Sequence, residues 1–242
     1  MEKAKQHSHL PDADRLSTLI AMILLAFALA HFIHLPGREL TIQLPGYYFD
    51  IRFGVQELVA LLVALMTASG VDWLLRTHPN LGEHQRSEHW LLPGITSWVV
   101  GLPLLQLPLS PAWWLGFVLG GVLLLLVLVA EYIVIDPTDR RHTFASAGLT
   151  AVSFALFLVL ATALRFSGMR LFLLLPALAL AVFLVSLRTL RLRIPDIWAF
   201  TEAGLIAFIT IEFASALHYW PLTPVSFGLV LLGPAYALTN FF

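Results

Sequence analysis

Glu202 and Glu212 are the two carboxylic acids in an otherwise apolar run from Ile197 to Leu217, which also carries Thr201, Thr210 and Ser215. An ionisable group at the centre of a membrane span costs at least about 2.5 kcal/mol, so each such residue needs a partner or a task. Read as a helix at about 100° per residue, Thr201, Phe208, Glu212 and Ser215 fall on one face, with Glu202 roughly a quarter-turn away. That face is expected to point into a helix bundle. There, burial favours the neutral acid, and a carboxyl group can bind a proton or a cation near neutral pH.

Four more residues are expected at the level of Glu212: His31, His34, Glu57 and His218. His31 and His34, at i and i+3, can present both imidazoles to one point. Histidine with carboxylate is the ligand chemistry of zinc and related ions, but no metal-binding spacing is present, so neither a metal nor a cofactor is assigned. The ion- or proton-binding candidates are therefore Glu212, Glu202, Glu57, His31, His34 and His218. The alternative is structural: neutral acids bonded to a neighbouring helix, and histidines reaching for water or headgroups.

At the opposite level Asp72, Glu131, Asp136, Asp139, Arg140 and Arg141 gather near helix ends, beside a polar loop with His78, His84 and His89. Asp136-Pro137-Thr138-Asp139 is turn chemistry, and the group reads as a solvated, charged rim. No HExxH, GxSxG, P-loop, GxGxxG or CxxC occurs. Catalytic residues are not assigned, and an enzyme would have to assemble its site through the fold alone.

The elements that place these residues follow from composition. Of 242 residues 59% are hydrophobic and 12% charged, with a mean hydropathy of +0.84, where soluble chains are about a quarter charged. A spanning helix needs about 20 mainly apolar residues. Eight such segments occur: Leu16–Leu35, Gly54–Leu75, Trp90–Leu107, Pro111–Ile135, Thr143–Leu164, Met169–Leu187, Ile197–Leu217 and Leu222–Phe242. The third holds Pro93 and Pro103 and the sixth Pro176, which makes seven spans the alternative. The fold expected is an all-α polytopic bundle. Residues 1–15 form a polar cytoplasmic segment and 16–242 a single membrane domain. Ala28-Leu29-Ala30 resembles a small-residue cleavage site, but the apolar run continues past it, so an uncleaved anchor is expected.

Alternation on both sides of Pro45-Gly46, from Leu40 to Phe53, predicts a short β-hairpin between spans one and two. Pro108-Leu109-Ser110-Pro111-Ala112 is echoed by Pro221-Leu222-Thr223-Pro224-Val225, as a parallel duplication of 16–135 and 143–242 would produce. Convergence explains the same match, because a hydroxyl before proline suits a helix start. Gly116 and Gly120, four apart, let helices approach closely, and internal packing is the expected use.

A net charge of −1 gives no basic field for nucleic acid. The partner implied is the lipid bilayer, with a second copy or a membrane-complex subunit as a further one. The function expected is a small transport or proton/cation-binding bundle; the alternatives are an assembly subunit of a membrane complex and a membrane-embedded enzyme without a recognisable motif. Lys3, Lys5, Arg15, Arg76, Arg86, Arg140, Arg141, Arg188, Arg191 and Arg193 fall on one side of the predicted topology, against Arg38, Arg52, Arg165 and Arg170 on the other. The positive-inside rule then puts the N-terminus in the cytoplasm of a multi-pass protein of the cytoplasmic membrane. Reporter fusions after Arg76, Arg140 and Arg193 should read cytoplasmic, and fusions near Pro45 and Ser167 external. Opposite compartments at two or more sites would reverse the orientation.

Overall fold

The computed structural model describes residues 11–32, 38–44, 47–53, 55–76, 88–168, 170–193 and 198–242. The chain divides into two compact units, Met1–Asp139 and Arg140–Phe242. Unit 1 contains α1 (Ala13–Phe32), the strands β1 (Arg38–Leu44) and β2 (Tyr47–Phe53), α2 (Val55–Leu75), α3 (Glu88–Gln106) and α4 (Pro111–Val134). Unit 2 contains α5 (His142–Phe166), α6 (Leu171–Arg193), α7 (Phe200–His218) and α8 (Pro224–Phe241).

Seven of these helices are long and apolar enough to cross a membrane. The exception is α3, whose apolar stretch, His89–Leu105, is shorter. Pro93 and Pro103 both lie inside α3, Pro176 inside α6 and Pro234 inside α8. In lipid, such prolines are tolerated where neighbouring groups re-satisfy the freed backbone. Leu25, Leu62, Leu115, Leu126 and Phe208 are each more than half exposed. A surface so rich in large aliphatic and aromatic side chains would drive aggregation in water, but hydrocarbon solvates it.

The hairpin forms around Pro45-Gly46, which lie outside the described residues. β1 and β2 pair antiparallel, with Leu44 opposite Tyr47 at the tip and Arg38 opposite Phe53 at the base.

In unit 1, α2 packs against α1 and α3, and α4 against α3 and α1. Arg15, at the start of α1, donates to the Trp73 carbonyl near the end of α2 at 3.2 Å, so these helices run antiparallel. The core includes Leu19, Ile23 and Phe27 of α1, Val71 and Leu74 of α2, and Leu124 and Leu128 of α4. Two helix starts show why the chain turns where it does. Ser110 is extended (φ −145°) and its hydroxyl accepts from the Trp113 N–H at 3.4 Å, with Pro111 in the first turn. Thr223 does the same for the Ser226 N–H at 3.2 Å, ahead of Pro224. Each hydroxyl satisfies one of the free N–H groups of a helix start, and each proline has none to leave unpaired.

Unit 2 has a similar cycle of neighbours, α5 with α6 and α8, and α7 with α6 and α8. Its core takes Phe154, Phe157 and Ala161 of α5, Leu178 and Val182 of α6, Ala203 and Ile206 of α7, and Phe227 and Leu231 of α8. Gly168, at φ +64°, sits in the turn after α5, in the left-handed region that glycine enters without steric cost. Beyond the two hydroxyl-proline starts, positions 113 residues apart differ in burial. Trp114 is exposed and Phe227 buried, while Gly120 is buried and Gly233 exposed.

Small residues set the close approaches. A Cβ on Gly120 would collide with Val100 of α3, and one on Gly116 would touch Leu104, so this pair packs inside unit 1. A Cβ on Gly148 would meet open space. Gly120→Val should therefore lower stability by about 1–3 kcal/mol through overpacking, whereas Gly148→Ala should be neutral or gain up to about 1 kcal/mol from helix propensity. Reversible unfolding in mixed micelles measures both. Equal effects at the two glycines would contradict this packing of α3 on α4.

Candidate functional site

A buried ionisable pair lies in unit 1. His89 is in the first turn of α3 and Glu131 in the last turn of α4, and the antiparallel course of these helices brings them to one level. Both are buried, His89 at 5% exposure and Glu131 at 0%. The His89 Nδ1 and a Glu131 carboxylate oxygen are 2.7 Å apart. With the carboxyl ionised, Nδ1–H donates to it. The separation is typical of a charge-assisted hydrogen bond. Other buried polar groups of α2 and α3 are hydrogen-bonded. The Thr67 and Ser97 hydroxyls are buried and 3.0 Å apart, linking α2 to α3. Thr96 donates to the Leu92 carbonyl at 2.7 Å. The Trp90 indole N–H is buried with no hydrogen-bond partner among the described residues.

This pair corrects the reading of His89 and Glu131 as part of a solvated rim. Asp72 does fit that reading, as it pairs with the exposed Arg76 at 2.7 Å. Glu131 instead lies inside the apolar run of α4, and the rule applied to Glu212, that an acid within a span needs a reason, applied equally to it. His89 lies 15 residues before Leu104 and Glu131 18 residues after Trp113. Since Leu104 and Trp113 bracket the α3–α4 turn, a helical hairpin puts the two side chains at similar depth.

The expected candidates sit differently. His31 lies at the far end of unit 1, with its Nδ1 3.3 Å from the Leu104 carbonyl and its ring centroid 5.1 Å from that of Trp113. The buried Trp113 donates its indole N–H to the same carbonyl at 2.8 Å and stacks on Phe117. His31 thus helps satisfy a carbonyl near the end of α3. His34 and the Glu57 side chain lie outside the described residues.

In unit 2, Arg165 near the end of α5 reaches the end of α7. It donates to His218 Nδ1 at 3.2 Å and to the His218 carbonyl at 2.9 Å, and its guanidinium lies 5.1 Å from the Phe227 ring centre. Guanidinium has only donors, so Nδ1 is the acceptor and the His218 proton is on Nε2. His218 is occupied as a helix fastening by a residue that sequence reasoning treated only as an outer-loop charge.

Glu212 overturns its expected orientation. The packed face of α7 carries Ala203, Ile206, Ala207, Thr210 and Ala214. Glu212 is nine residues from Ala203, about half a turn around the helix. Glu212, Thr201 and Phe208 are exposed, Glu202 is half-buried, and Ser215 lies partly covered. The physical reason is the alanine stripe. Small side chains let α7 approach its neighbours closely, and that packing outweighs the tendency of the polar face to turn inward. Thr210 satisfies its own hydroxyl by donating to the Ile206 carbonyl at 2.8 Å. Among the described residues no three His, Asp or Glu side chains come close enough together to hold a metal ion.

Apolar helices of spanning length, clothed in exposed aliphatic side chains, define a multi-pass integral membrane protein. The chain belongs to the family described as Protein of unknown function (DUF5656), whose family model matches residues 35–242, from just before β1 through both units. No curated protein and no solved structure matches it.

If His89 and Glu131 form one buried unit, removing either should deprive the other of its 2.7 Å contact. His89→Leu and Glu131→Leu should each cost about 3–5 kcal/mol. The double variant should cost less than their sum by about 2 kcal/mol or more. Losses that add to within about 0.5 kcal/mol would mean that the two do not interact.

Proposed function

We propose that this protein is a proton-binding helix bundle of the cytoplasmic membrane, with its N-terminus on the cytoplasmic side, and that the His89–Glu131 pair holds the exchangeable proton. The observation that carries the reading is the 2.7 Å contact between two fully enclosed titratable groups. In such a site, gaining or losing one proton changes the charge of the whole pair in a low-dielectric setting, where the effect on packing is larger than in water. A proton that comes and goes there would loosen or tighten the start of α3 against the end of α4.

A second reading, an assembly subunit, draws on α7. An exposed Glu212 on a spanning helix, flanked by exposed Phe208 and Phe213, is costly against lipid and would be relieved by a polar group on a partner subunit.

Infrared difference spectroscopy on the purified protein distinguishes the two. A carboxyl band that appears and disappears with pH, and that is lost in a folded Glu131→Gln variant, supports proton binding. A spectrum that ignores both pH and that substitution contradicts it and leaves the assembly reading, for which Glu212→Leu should alter the oligomer or complex size seen by native mass spectrometry.

A further inference from the structure

Unit 2 contains a groove of about 900 Å³ between α5 and α8, large for a small-ligand site. Its two ends differ in chemistry. At one end stand His142, Thr143 and Ser146 of α5 and Arg193 of α6, and further in are Ala151 and Phe154 of α5 with Leu229 and Leu232 of α8. From His142 to Phe154 is 12 residues, about 18 Å along a helix. That length is close to one leaflet of hydrocarbon, about half of 30 Å. The groove is therefore polar and cationic where headgroups lie and apolar over the depth of one acyl layer.

The cationic end is fixed in place. Arg193 donates to the Thr239 carbonyl at 3.2 Å and to the Asn240 side-chain oxygen, which ties the end of α6 to the end of α8. Two of its five N–H donors are used in these bonds. At the start of α5, Arg141 occupies the N-cap position without a side-chain capping bond. The first N–H groups of that helix therefore carry the partial positive charge that favours a phosphate. Arg140, Arg141 and Arg191 stand at the same end, where Asp139 and Glu202 are the acids among the described residues. Gly233 opens the groove wall, since a Cβ there would meet nothing within 4 Å.

From this we infer that the α5–α8 groove of unit 2 is a binding site for an anionic phospholipid, its phosphate held by Arg193 and the start of α5 and one acyl chain lying between the two helices. A zwitterionic lipid offers the same chain and a phosphate but adds a cationic group that the basic end would repel. A free phosphate would gain nothing from the apolar length of the groove.

The test is native mass spectrometry of the full chain in detergent, titrated separately with phosphatidylglycerol, phosphatidylcholine and inorganic phosphate. Phosphatidylglycerol should bind about fivefold or more tightly than phosphatidylcholine, since each basic residue at a membrane surface contributes about 1 kcal/mol to anionic lipid binding. Arg193→Gln should remove that preference. Because Arg193 also fastens α8, a second variant is needed that leaves the fastening alone. Gly233→Leu fills open space and should abolish binding of both lipids with thermal stability retained. Equal affinity for the two lipids would overturn the inference, as would inorganic phosphate binding as well as the lipid. Unchanged lipid binding in folded Gly233→Leu would also overturn it, and if that variant instead lost a dimer, the groove would belong to a second copy of the chain.

Discussion

Hydrocarbon offers no hydrogen bonds, and a polar group placed there must find its partner within the protein or stay at the boundary. That constraint explains more of this protein than any feature of its apolar surface, because lipid does not distinguish one exposed leucine from another. Van der Waals packing and interior polar contacts are what hold such helices together. In unit 1 the constraint is met by enclosure. Glu131 is sealed against His89, and Thr67 against Ser97, while the Leu104 carbonyl is shared by Trp113 and His31. In unit 2 it is met at the ends, by Arg165 on His218 and Arg193 on the end of α8.

The two arrangements suggest different uses. An acid and an imidazole in one enclosed site can change charge together, which is the physical content of a proton-binding bundle. Arginines do not titrate in the physiological range, so unit 2 offers fixed positive charge suited to holding phosphate. Its groove and the buried pair of unit 1 therefore rest on separate observations.

Much of the architecture could be read from the sequence because long apolar runs and hydroxyl-proline starts are local signals. The eight segments, the hairpin around Pro45-Gly46 and the caps at Ser110 and Thr223 all depend on residues close together in the chain. The candidate site was far less legible. Which face of a helix turns inward depends on competition among neighbours, and on α7 a stripe of three alanines with Ile206 and Thr210 wins the interior over the face bearing Glu212. The pairing of His89 with Glu131 joins residues 42 positions apart. It could have been inferred only by laying α3 and α4 side by side as a hairpin and comparing depths. Arg165 was similarly hidden, since a loop arginine gives no local sign that it will reach the carbonyl end of another helix.

The proposed function requires that His89 and Glu131 share a proton-bearing contact inside unit 1 in a bilayer. Solid-state NMR of the protein in lipid vesicles, with histidine labelled at nitrogen and glutamate at the carboxyl carbon, tests it most directly. The expected result is a through-space cross-peak between the His89 Nδ1 and the Glu131 carboxyl carbon, lost in Glu131→Gln labelled in the same way. An Nδ1 signal with no such cross-peak in folded protein, or one unchanged by that substitution, would contradict it.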